Sequence, residues 1–172
     1  MENKNFEQKN NLSWIDDKIK NVVKHAISKE DLDRLDKNEE KGGLTQKDYQ
    51  DMVQATKNSR IDLNFLHEYK YLLTKLGYSK NQTDEILAHE NAHANMGDSL
   101  GAEHKGYSVI IFNDHGILKV RQFTLHKFPE NWDIAKTRLV SEKIAMAPEI
   151  YENQELSDGD KKKIKNRNSG KK

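Results

Sequence analysis

Apolar residues recur at helical spacing along most of the chain. Trp14, Ile15, Ile19, Val22, Val23, Ala26 and Ile27 predict an amphipathic helix over about 13–27. Ser28 resembles a cap for a short charged helix reaching about Glu40, and Lys41-Gly42-Gly43 breaks it. Thr45 opens another helical run through Tyr49, Met52 and Val53 to about Thr56. A stronger helix is expected from about Asp62 to Leu76, with Leu63, Leu66, Tyr69, Leu72, Leu73 and Leu76 on overlapping apolar faces and Gly77 at its end. Ser79 with Gln82 three residues on reads as a capping box. It predicts a helix over about 80–96, with Gly97 at the position just past its end.

The pattern then changes. Residues 106–112 (GYSVIIF), 113–116 (NDHG) and 117–125 (ILKVRQFTL) read as a β-hairpin around a turn. Val109 and Ile111 are expected in the core, and the outer strand could add an extended peptide at its edge. Residues 133–147 regain helical period through Ile134, Leu139, Val140, Ile144 and Met146, and Pro148 marks the expected end. The class is therefore a mostly helical α+β protein. Residues 1–60 are expected as an N-terminal helical appendage, 61–160 as the main domain, and 161–172 as a flexible basic tail.

Composition narrows the chemistry. Charged residues are 33% and mean hydropathy is −0.99, so the available core is modest. A net charge of +1 argues for neither a nucleic-acid binder nor an acidic solubiliser. Residues 161–172 carry seven basic side chains and no acidic one, but no interleaved aromatics, so they give no clear sign of a nucleic-acid partner. With no Cys, disulfides, thiolate zinc sites and thiol catalysis are excluded. The first residues lack the apolar core of a secretory signal, and no apolar run reaches a membrane span. A soluble cytoplasmic protein, without a membrane partner, is the expectation.

One segment names a chemistry. His89-Glu90-Asn91-Ala92-His93 is an H-E-x-x-H pattern in predicted helix. Residues four apart lie one turn apart on one face, so two imidazoles can hold one Zn²⁺. Glu90, beside the first His, is placed to take a proton from a zinc-bound water. The bland alternative is a pair of buried, hydrogen-bonded His. His67-Glu68 lacks a second His four residues on and reads as a surface or core pair. Zinc needs a third protein ligand. The extended metzincin pattern would require His at Ser99 and is excluded. His104, Glu142 and a carboxylate in Ser157-Asp158-Gly159-Asp160 remain open.

The order of features resembles the peptidase domain of FtsH-type zinc proteases. It runs from HENAHANMGDSLG through a short hairpin and a helix ending IAMAPEIYE to LSDGDKKKI, over about residues 79–164. The resemblance implies His89 and His93 as zinc ligands, Glu90 as the catalytic base, and Asp160 as the third ligand, with Asp158 its competitor. Three departures stand out. Ala92 replaces the family's Gly before the second His, Met146-Ala147-Pro148-Glu149 replaces its Arg-containing segment, and neither an AAA ATPase module nor a membrane anchor is expected from these 172 residues. The expectation is a zinc metallopeptidase acting on peptides or unfolded proteins, with Tyr107 and His126 as candidates to stabilise an oxyanion. Competing expectations are a non-catalytic protein-interaction module and a structural zinc site closed by a fourth ligand such as His104. Oligomeric state is not legible.

Overall fold

The computed structural model describes residues 11–41, 43–152 and 154–168. It is an α+β fold, as the periodicities predict. Seven helices among the described residues surround a four-stranded mixed sheet. In chain order the elements are α1 (Ser13–Val23), β1 (Ile27–Ser28), α2 (Lys29–Lys41), α3 (Gln46–Asn58), β2 (Arg60–Leu63), α4 (Leu66–Lys75), α5 (Lys80–Ser99), β3 (Glu103–Asp114), β4 (Ile117–Lys127), α6 (Ile134–Glu152) and α7 (Asp158–Asn168).

β3 is the spine of the sheet. One edge pairs antiparallel with β4 along its length, with Ile111 opposite Val120 and Tyr107 opposite Thr124. The other edge pairs antiparallel with β2 at Tyr107–Ile110 and parallel with β1 at Phe112 and Asn113. Ser59, fully buried, ties this edge together. Its Oγ accepts the Ile27 N–H at 2.9 Å, and its carbonyl accepts the Ile111 N–H at 2.9 Å.

Several element boundaries differ from the sequence expectation. α1 stops at Val23, and Ile27 enters a strand instead of closing a helix. The helix expected from Asp62 begins at Leu66, because Ile61 and Leu63 alternate into the core as strand residues. Glu68 then caps the new start, its carboxylate accepting the Asn64 and Phe65 N–H groups at 2.9 and 3.0 Å. Gly77, at φ +89°, turns the chain out of α4 as expected. The hairpin is longer than predicted, with its turn confined to His115 and Gly116. α6 continues through Pro148, and α7 continues through residues 161–168, assigned to the tail from sequence.

Two faces of the sheet are covered. On one lies the principal core of Ile15, Val22, Ile61, Leu63, Tyr69, Leu72, Leu73, Tyr107, Val109 and Ile111. Burying each large side chain of this kind contributes about 1.5–3 kcal/mol. A second cluster (Ile27, Leu32, Leu35, Met52 and Ile110) joins α2 and α3 to β1 and β3. The Arg121–Asp36 ion pair at 3.0 Å ties β4 to α2. The N-terminal helices thus share the sheet and the core with the rest of the chain. A third cluster of Ala92, Met96, Ala102, Val140, Ile144 and Ala147 packs α5 against α6. Its small side chains allow a close approach. Among the described residues no helix is long and apolar enough to cross a membrane.

Candidate metal centre

α5 begins as its sequence requires. Ser79 Oγ accepts the Gln82 N–H at 3.2 Å, and the Gln82 side chain accepts the Ser79 N–H at 2.9 Å. The helix does not end before Gly97 but runs to Ser99. Gly97 serves a different need. A Cβ there would lie 2.2 Å from His126 Nε2 on β4, so the missing side chain lets the hairpin close on the helix.

This helix presents His89 and His93 on one face, with ring centres 4.8 Å apart and ring planes at 80°. Asp160 completes a group whose three ligand atoms lie within 4.8 Å of one another. Its Oδ2 is 3.3 Å from His89 Nε2 and 3.5 Å from His93 Nε2. Asp158 is exposed and does not join them, nor do His104 or Glu142. The reason Asp160 reaches the site is local. Ser157 caps α7, accepting the Asp160 N–H at 3.2 Å, while its hydroxyl donates to Asp160 Oδ2 at 2.6 Å. Ser-x-x-Asp is itself a capping-box pattern, so the cap that starts α7 also fixes the carboxylate.

The three residues could hold a metal ion. A carbonyl oxygen only accepts, so the 2.7 Å contact between His93 Nδ1 and the Ile144 carbonyl makes Nδ1 the donor. That leaves Nε2 facing Asp160 and His89. A ligating His normally donates its other N–H in this way. Two imidazoles and one carboxylate match the donor set of a catalytic zinc site. Among the described residues no fourth His, Asp or Glu joins the group.

Electrostatics couples the group. Burial pushes the Asp160 carboxyl up, but hydrogen bonds from His89, His93 and Ser157 outweigh it and hold the carboxyl well below the usual range. Burial pulls His93 down, yet Asp160 and Glu90 leave it raised overall. Glu90 is 2% exposed, and burial raises its carboxyl against the opposing Thr124 hydrogen bond and the nearby His93 and His89. Thr124 Oγ donates to Glu90 Oε2 at 2.5 Å.

The remaining sequence candidates occupy other roles. Tyr107 is buried between Tyr69 and His104, with ring centres 5.7 and 4.7 Å away. Burial and the charges of Glu90 and Asp98 push its hydroxyl up to about 12. His126 sits opposite His104 across the hairpin and against Gly97, and burial with His104 and His93 nearby pulls it down. His67 stacks on Phe65, ring centres 5.4 Å apart. Two participants were missed in the sequence. Thr124 was signalled by a polar residue on the inward-facing alternation of β4. The Ile144 carbonyl is backbone, with no residue-type signal of its own. Comparison with protein-family models, curated proteins and solved structures gives no match to this chain.

Proposed function

We propose that the chain is a zinc metallopeptidase acting on extended peptide segments. The observation that carries this reading is the convergence of His89, His93 and Asp160, from two separate helices, directly beside Glu90. Zinc held by these three residues would activate water and polarise a peptide carbonyl. Glu90 then acts as the general base, accepting the water's proton and delivering it to the departing amine. Burial raises its pKa, which makes the carboxylate a stronger base. Thr124 steadies its carboxylate from β4.

β4 supplies the support for an extended substrate. The Ile111 N–H points away from β4, to Ser59, and the Val120 N–H points away from β3, to the Tyr78 hydroxyl at 3.0 Å. Antiparallel alternation therefore turns the backbone groups of Gln122 and Thr124 to the outer edge as well. Among the described residues no strand pairs with that edge. A peptide added there would lie beside Glu90.

The test is digestion of a peptide library by the zinc-loaded chain. Cleavage should be stopped by a chelator and abolished in Glu90→Gln with zinc content unchanged. Wild-type protein that takes up no zinc, or that leaves the library intact when loaded, overturns the reading in favour of a binding module.

A further inference from the structure

α6 runs from Ile134 to Glu152 with Pro148 inside it. In an α-helix each N–H bonds the carbonyl four residues earlier. Proline has no N–H, so Pro148 cannot give the Ile144 carbonyl its ordinary helical donor, and its ring crowds that same oxygen. The Ile144 carbonyl is the group that accepts His93 Nδ1–H at 2.7 Å, in a buried bond between residues 51 apart. Pro148 is fully buried, as are Ala145 and Ala147 beside it. An interior proline is the least favourable of helix residues. Its position four residues after the one carbonyl bonded to the His93 side chain gives it a tertiary reason to be there.

We propose that Pro148 is a positioning residue for the metal centre. By withholding the helical N–H, it turns the Ile144 carbonyl out of the helix ladder toward α5. That carbonyl then holds the proton of His93 on Nδ1 and aims Nε2 at the space shared with His89 and Asp160. The inference rests on reading His93 as a metal ligand. A carbonyl has two lone pairs, so a restored N–H need not displace His93 outright. It draws the oxygen back along the helix axis, lengthening the bond and loosening the ring.

The experiment compares the full wild-type chain with Pro148→Ala and Pro148→Ser, both of which restore the N–H. In metal-free, isotope-labelled protein, wild-type His93 should show a slowly exchanging Nδ1–H coupled through its hydrogen bond to the Ile144 carbonyl. In the variants that coupling should weaken or vanish. Zinc affinity, read by competition with a chelating dye, should fall by about tenfold or more, the usual effect of losing an outer-shell partner. The unfolding midpoint of metal-free variant protein should hold or rise, because Ala and Ser are better helix residues than Pro. A purely structural proline predicts the reverse pattern, with a lower midpoint and unchanged affinity, and that result overturns the proposal. Wild-type His93 lacking the Nδ1–H coupling overturns it without any variant. Wild-type protein that binds no zinc defeats the peptidase reading instead, while the coupling still reports on what Pro148 does to His93.

Discussion

Thr124 Oγ donates a 2.5 Å hydrogen bond to Glu90 Oε2, joining the outer strand of the hairpin to the carboxylate of the motif helix. The same hydroxyl lies 3.3 Å from the Glu90 carbonyl. Thr124→Val keeps the shape and removes the donor. A hydrogen bond to a charged group is worth about 1.5–3 kcal/mol, so kcat should fall by about tenfold or more. Zinc content should not change. Because this bond lowers the Glu90 pKa, its loss should move the acid limb of the pH profile to higher pH. Thr124→Ser should recover both. A valine variant with wild-type kcat and profile would leave Thr124 no part in positioning the base.

The ligand assignment separates cleanly by residue. His89→Ala and His93→Ala should bind no zinc at stoichiometric metal, whereas Glu90→Gln should bind about one per chain. Asp160→Asn should weaken binding, since a neutral amide replaces the charged oxygen 3.3 and 3.5 Å from the two imidazoles. Asp158→Asn should bind as wild type. Equal losses for the two Asp variants, read by metal analysis after dialysis, would undo the choice of Asp160.

The motif helix and its cap were legible because local rules suffice for them: Ser79 and Gln82 form the box the sequence spells. The hairpin was legible from the apolar run at residues 109–112 and the turn residues 113–116, though its length was not. Local rules failed where tertiary packing decides. Leu63 fits a helical stripe with Leu66 but is used as a strand residue, buried through pairing with β3. Gly97 and Pro148 both read as helix stops, yet each lies inside a helix where a neighbouring element exploits what the residue lacks, a side chain in one case and an N–H in the other. The segment holding Asp160 was among the open choices for a third ligand, and only the resemblance in feature order favoured Asp160. Nothing local distinguishes it from Asp158 except its place at the third position after the Ser157 cap.

Gly97→Ala pits helix propensity against contact. Alanine gains up to about 1 kcal/mol over glycine in a helix interior. Its Cβ, however, would meet His126 Nε2 at 2.2 Å and Cδ2 at 2.3 Å, so the half-buried ring would have to shift. The variant should unfold at lower temperature than wild type. Adding His126→Ala should reverse the loss, because the intruding methyl then fills space the ring vacates. A single variant more stable than wild type would mean that the hairpin yields freely and that Gly97 has no packing role.

Proton linkage predicts opposite pH trends for the two metal states. The raised pKa of His93 favours its protonated form in the folded, metal-free chain. That contribution is complete below the ordinary His value of about 6.5 and is lost as pH rises through the raised one. Glu90, also raised, loses its contribution in the same direction from a lower starting point. Asp160, held low, contributes above the ordinary carboxylate range and loses that only in acid. Metal-free protein should therefore lose stability as pH rises from about 6.5, the ordinary His value, through the raised one. Zinc must displace the proton on His93, so its affinity, and the midpoint gap between loaded and metal-free protein, should widen over the same range. Unfolding scans with and without zinc check this; a gap that narrows as pH rises contradicts the assigned protonation.

If the proposed peptidase reading holds, the edge of β4 at Gln122 and Thr124, which no described strand pairs, would limit cleavage to extended segments. A segment pairing with Gln122 and Thr124 must be extended, and a stable folded domain can supply one only by opening locally, at a free-energy cost reaching its global stability. Zinc-loaded protein should cleave denatured proteins and peptides, and leave stable folded domains nearly untouched. Gln122→Pro tests the geometry directly. The Gln122 N–H faces outward, so its removal breaks no ladder bond to β3 but deletes a donor to the substrate. KM for a peptide should rise by about five- to tenfold, the worth of one hydrogen bond of about 1–1.5 kcal/mol, with zinc content unchanged. An unchanged KM in a folded, zinc-loaded Gln122→Pro chain would show that substrates do not pair with this edge, and the preference for extended chains would then need another source.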